Sequence, residues 1–148
     1  YKPELELTLM EPTGKRVDFL RWVCGELGLT GVEFAKERAE EAARKQWREA
    51  FDVACARAVA ALPVLSEYCL PLVKVGGQFL AMKSVDTDDE IQRARSAIAQ
   101  LGGKIGKIWD YTIPGTDVRH RVVIIRKERP TPAAYPRPFA RIKKAPLG

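Results

Sequence analysis

Three charged residues of this 148-residue chain stand where apolar runs stop: Glu11 after Leu9-Met10, Arg57 after the segment beginning at Phe51, and Lys83 after Gln78-Phe-Leu-Ala-Met82. In an open α/β sheet, ligands bind outside the carboxyl ends of the strands. A carboxylate there can accept both hydroxyl protons of a cofactor ribose, which is the chemistry Glu11 offers; a Glu before Pro12 can equally begin a turn. Arg57 and Lys83 offer positive charge to an anionic substrate, and Arg57 reads just as well as a helix cap or the partner of a surface carboxylate. No Ser/His/Asp or Cys/His set accompanies them, and no carboxylates are paired at a spacing suited to hydrolysis. A site built from these three works by binding and orientation more than by proton transfer.

The elements that must position them follow from hydrophobic period and turn residues. Glu4 to Met10 alternates polar and apolar and predicts a strand. A helix from Thr13 to about Leu27 follows, with Val17, Leu20, Val23, Cys24 and Leu27 on its apolar face and Gly28 as its stop. Gly31–Ala35 predicts a short strand, Arg38–Lys45 a helix, and Phe51–Ala56 a buried strand. Pro63–Val73 predicts a helix with Leu65, Tyr68, Cys69 and Leu72 inward, and Gly76-Gly77 turns the chain into the strand Gln78–Met82. Asp88–Leu101 is amphipathic, with Ile91, Ala94, Ile98 and Leu101 on one face, before Gly102-Gly103. Ile105–Ile113 and His120–Arg126 then flank Pro114–Asp117 as an antiparallel hairpin. Strands alternating with helices and closed by a hairpin predict an α/β fold whose sheet is mainly parallel with one antiparallel strand, covered by helices on both faces.

Composition sets the outer bounds. The length suits one domain with a core, and 46% hydrophobic with 30% charged residues is ordinary for a globular protein. No apolar run is long enough to span a bilayer and the start lacks a signal-peptide layout, so the expectation is a cytoplasmic protein without a membrane partner. Cys24, Cys55 and Cys69 lie in apolar segments without a Cys-x-x-Cys pair, which predicts buried free thiols; with His120 the single histidine, no metal site is expected. The net charge of +6 is concentrated at one end: from Arg126 onward there are seven basic residues against Glu128 alone. Division into a body over 1–127 and a basic, Pro-rich tail over 128–148 follows, and such a tail points to a polyanion. Tyr135 and Phe139 interleaved with Arg137 and Arg141 favour RNA, because rings stack on bases while guanidinium groups hold phosphates.

Several ordered motifs together resemble one family. They are Glu11-Pro-Thr-Gly-Lys-Arg16 with Phe19-Leu20, Arg38-Ala-Glu40, Phe51-Asp52 leading to Ala56-Arg-Ala-Val-Ala60, and Leu65-Ser-Glu-Tyr-Cys-Leu-Pro-Leu72. Gly76-Gly-Gln-Phe-Leu-Ala-Met-Lys83, Leu101-Gly-Gly103, Arg119-His120 and Pro130-Thr-Pro-Ala-Ala-Tyr-Pro-Arg137 continue the register. The chain is similar to the bacterial 16S rRNA guanine-N7 methyltransferases, the glucose-inhibited division protein B family. The resemblance implies a Rossmann-like, class I methyltransferase fold that uses S-adenosyl-L-methionine to methylate N7 of guanosine 527 in the 530 loop, on 16S rRNA or the small ribosomal subunit. It implies Glu11 at the cofactor ribose, Ala39 and Glu40 at the adenine, and Arg57 and Lys83 as catalytic residues, Arg57 also touching cofactor. RNA contacts are expected from Lys15, Arg16, Lys83, Arg119, His120, Tyr135, Arg137 and Lys144.

Two departures qualify these expectations. Glu11 stands where the family often has Asp, and the Pro138-Phe-Ala-Arg-Ile segment lacks a commonly found Gly. The family's N-terminal helical part, its first strand and its Gly-rich cofactor loop have no counterpart before Tyr1, so a fragment is expected, monomeric when full length and inactive or self-associating alone. A non-catalytic RNA-binding module, and a small-molecule methyltransferase or dehydrogenase on the same fold, stay open as alternatives.

Overall fold

The computed structural model describes residues 4–57 and 59–148; Ala58, inside the Ala56–Ala60 motif, lies outside the described residues. The chain runs β1 (Leu7–Met10), α1 (Gly14–Glu26), β2 (Val32–Ala35), α2 (Ala39–Ala42), β3 (Phe51–Arg57), α3 (Leu62–Cys69), β4 (Val73–Ser84), α4 (Asp88–Gln100), β5 (Gly103–Thr112), β6 (Arg119–Lys127) and α5 (Phe139–Lys144), with a 3₁₀ turn at Leu70–Leu72. The alternation of strands and helices is the one the sequence predicts, and boundaries differ by a few residues. Val73, expected to end a helix, instead begins β4, because Pro71 and the tighter turn around it end α3 early.

The strands fall into two groups. β1 and β2 pair in parallel, and a four-stranded sheet has the order β3-β4-β6-β5, with β3 and β4 parallel and β6 antiparallel to both neighbours. The Gly76-Gly77 turn lies within β4 as an irregularity: Phe51 pairs with Val73 and Val53 with Gln78, so β4 carries extra residues and Gly76 takes φ +89°.

The core lies on one face of the larger sheet. Phe79 and Ala81 of β4 and Val123 and Ile125 of β6 meet Leu62, Leu65 and Cys69 of α3 and Ile91, Ala94 and Ile98 of α4. α3 begins with a proline in its first turn, where the missing N–H costs nothing, and α4 begins with Asp88, Asp89 and Glu90, which oppose the helix dipole favourably. Gly102 ends α4 at φ +87°, and a side chain there would collide with the backbone of Arg129.

Coverage of both faces is where expectation and structure part. α3 and α4 share one face, while on the other Val53 is 53% exposed and Cys55 is also exposed. β3 is therefore not the buried strand its apolar composition suggests, and only two of the three thiols are buried. The physical reason is local: among the described residues β3 has a partner on one edge alone, and nothing packs over Val53 and Cys55. Leu27, expected on the inner face of α1, is 66% exposed because the helix has already ended at Glu26. Among the described residues no helix is long and apolar enough to cross a membrane.

Candidate functional site

A cavity of about 790 Å³ opens between β1 and β3 and runs along both strands, from Glu6 to Pro12 on one side and from Phe51 to Arg57 on the other. Glu11, Ala39, Glu40 and Arg57 line it together, although they are spread over 47 positions of sequence. The volume falls in the range of sites that hold a cofactor-sized molecule.

Glu11 follows the last residue of β1, its N–H held by the Ala35 carbonyl of β2. Its Oε1 accepts the Thr13 N–H at 2.8 Å, and Arg16 Nη1 lies 3.5 Å from Oε2. The Thr13 N–H foremost, with the Arg16 charge in support, holds the carboxyl below its usual range, so it remains an acceptor. Glu40 is placed by the single turn of α2 and is 4% exposed. Burial pushes its carboxyl up, Arg38 Nη1 is 3.9 Å away, and its Oε1 has no hydrogen-bond partner. An acceptor buried without a donor is costly unless something supplies one. Arg57 ends β3, exposed at the rim.

Lys83 is not brought into this cavity. It shares the alternation of Phe79 and Ala81 on the helix-covered face of β4, where its Nζ lies 2.7 Å from Glu90 Oε1 and donates to the Ala60 carbonyl at 3.1 Å. Glu90 also accepts the Leu62 N–H. The pair thus ties β4 and α4 to the loop that follows Arg57.

The residues expected to meet RNA are dispersed. Lys15 and Arg16 are exposed in the first turn of α1. Arg119 and His120 open β6, beside the rim end of β4, where Ser84 pairs with His120; the imidazole lies 5.8 Å from the Tyr111 ring. Lys144 is exposed at the end of α5. Arg137 and Tyr135 are engaged internally. The Arg137 guanidinium donates to both oxygens of Glu67, at 2.9 and 2.6 Å, and Glu67 is fully buried on α3. Tyr135 packs against the core, its carbonyl accepting from Arg48.

The segment after Lys127 accordingly lies along the body. Lys127, itself fully buried, donates to the carbonyls of Leu70 and Val73 and faces Glu49 at 3.1 Å. Although burial pushes the Glu49 carboxyl up, the Thr131 N–H and the Lys127 ammonium together hold it below its usual range. Among the lining residues that sequence reasoning missed are Arg38, Tyr68, Phe139 and Lys143. Arg38 was legible as the first member of the Arg38-Ala-Glu40 motif. Phe139 and Lys143 read from sequence as part of the basic, aromatic tail that points to RNA, since their approach to the cavity depends on how the last segment folds back.

Comparison with known proteins matches residues 1–112 to the family model for GidB, rRNA small subunit methyltransferase G. The ribosomal RNA small subunit methyltransferase G of Exiguobacterium sibiricum is 44% identical over 99% of this chain and 62% of its own, and that of Alkaliphilus metalliredigens 46% identical over the same shares. The chain thus spans about 62% of the length of the curated relatives it matches. Among solved structures, an rRNA methylase from Streptococcus thermophilus superposes with TM-score 0.55 at 15% identity, covering 82% of this chain and 73% of that one. A SAM-dependent methyltransferase from Methanosarcina mazei gives 0.57 at 13%, covering 82% and 81%. These likenesses show the class I methyltransferase fold.

Proposed function

Because the chain belongs to the rRNA small subunit methyltransferase G family, we propose that it is the greater part of an enzyme that methylates guanine N7 in the 530 loop of 16S rRNA, with S-adenosyl-L-methionine as methyl donor. The observation that carries this reading is the convergence of Glu11, Ala39, Glu40 and Arg57 on the one cavity between β1 and β3.

The residues present fit the cofactor. The unpartnered Oε1 of Glu40 is a buried acceptor suited to an amino group such as that of adenine, and Glu11, kept ionised, suits the two ribose hydroxyls. When bound, the cofactor would supply an electrophilic methyl on a sulfonium, which the lone pair of guanine N7 is suited to accept, with a neutral thioether as the leaving group. N7 carries no proton, so no general base is required, and the absence of a catalytic dyad among the described residues agrees with this chemistry. Arg57 at the rim is suited to orient the base by donating to guanine O6 or to a flanking phosphate. Lys83, bound to Glu90 and the Ala60 carbonyl, supports the same step by fixing the loop beside Arg57. Lys15, Arg16, Arg119, His120 and Lys144 are available to phosphates.

The test is transfer of labelled methyl from S-adenosylmethionine to 16S rRNA or small ribosomal subunits, by this chain and by a version extended at its N-terminus with a Gly-rich loop. Activity in the extended form, mapped to guanine N7, supports the reading. Salt-sensitive RNA binding by both forms with activity in neither favours a non-catalytic RNA-binding module, the alternative left open by the lack of a Gly-rich cofactor loop in this sequence.

A further inference from the structure

We infer that the C-terminal helix α5 belongs to the cofactor site, with Phe139 bracing Arg38 as the wall beside Glu40. The inference rests on the reading above and concerns a segment whose basic, aromatic composition points to RNA. Phe139 and Lys143 of α5 line the same cavity as Glu11 and Glu40. The guanidinium carbon of Arg38 sits 4.1 Å from the centroid of the Phe139 ring, a cation-π distance, and Arg38 Nη1 reaches to 3.9 Å from Glu40 Oε1. A continuous contact therefore runs from α5 through Arg38 to the unpartnered acceptor.

The helix is held there firmly. Ile142, on its inner side, is fully buried. Just before it, Arg137 is clamped by Glu67 through its side chain and its backbone N–H, and the Pro136 carbonyl accepts from Arg44 at 2.7 Å. Only two residues separate Phe139 from Pro136, so the ring has little freedom to leave. A guanidinium held over one ring on one side is open on the other to a planar base. Arg38 is also the charge nearest Glu40, and the orientation Phe139 imposes decides whether that carboxylate is drawn toward Arg38 or left for a ligand amine. Phe139 is thus a positioning residue for nucleoside binding and has no part in methyl transfer.

The experiment compares Phe139→Ala, Phe139→Leu and Phe139→Trp in the N-terminally extended chain, with S-adenosylhomocysteine titrated calorimetrically and KM measured separately for S-adenosylmethionine and for rRNA. Phe139→Ala is expected to weaken S-adenosylhomocysteine binding about tenfold and raise the cofactor KM equally, leaving kcat and the rRNA KM within about twofold. Phe139→Leu, which keeps apolar bulk without the ring, should lose most of the same affinity while retaining the parent melting temperature, and Phe139→Trp should restore it. Unchanged cofactor affinity in Phe139→Leu, or a rise confined to the rRNA KM, overturns the inference and returns α5 to the RNA. Failure of the unsubstituted extended chain to bind S-adenosylhomocysteine overturns the functional reading itself, and the inference with it.

Discussion

Glu40 shows how a single side chain can carry opposed demands. Its burial raises the proton affinity of the folded state above that of the unfolded chain, so folding takes up a proton between the two values. Stability from this residue is accordingly greatest below the unfolded pKa, declines as pH rises through the folded one, and stays low at neutral pH. Glu40→Gln, which cannot ionise, is expected to raise the melting temperature at pH 7 to 8, with the gain shrinking toward pH 4. The same substitution should weaken S-adenosylhomocysteine binding in the extended chain by about tenfold, since an amide accepts less strongly and without charge. Melting curves across pH, set beside calorimetric titration, check both arms. Glu11 titrates in the opposite sense: its lowered pKa means a stabilising contact with Thr13 that is present at neutral pH and lost on acidification. The strand-end position of Glu11 made its place readable from sequence. The orphaned oxygen of Glu40 was not readable, because burial of a helical Glu depends on distant chain.

At the scale of elements, the ion pairs do much of the arranging. Glu67 fastens the segment before α5 to α3, and Arg137 has no comparable alternative among the described residues. Replacing Glu67 with Ala leaves a guanidinium at a site it cannot leave easily, and should cost about 3–5 kcal/mol in urea unfolding. Glu67→Leu combined with Arg137→Met should recover most of that, because removing both charges spares the desolvation each pays. The helices and strands themselves were largely legible: α1 starts beside Thr13, α4 ends at Gly102, and the β5–β6 hairpin turns at Pro114–Asp117 as pattern and turn chemistry predict. What the pattern could not supply was pairing. Arg137 and Lys83 read as exposed cations, whereas each meets a carboxylate that lies 70 or 7 positions away in the chain. A carboxylate inside an apolar helix, such as Glu67 in Leu65–Leu72, is the one local hint that a buried partner exists.

At the largest scale, the two strand groups leave β3 without a second neighbour among the described residues, and Val53, Cys55 and Val59 are exposed. Unpaired N–H and C=O groups beside exposed apolar side chains are a template for another strand. The 148-residue chain is expected to associate in a concentration-dependent way by light scattering, with the N-terminally extended form remaining monomeric at the same concentrations and Val53→Lys reducing association of the shorter form. The placement of α5 has a consequence for biosynthesis. Phe139 and Lys143 follow every other wall of the cavity in the order of synthesis, so a ribosome must translate past both before the pocket can be complete. The strands and helices that carry Glu11, Glu40 and Arg57 are thus made well before the last wall they share.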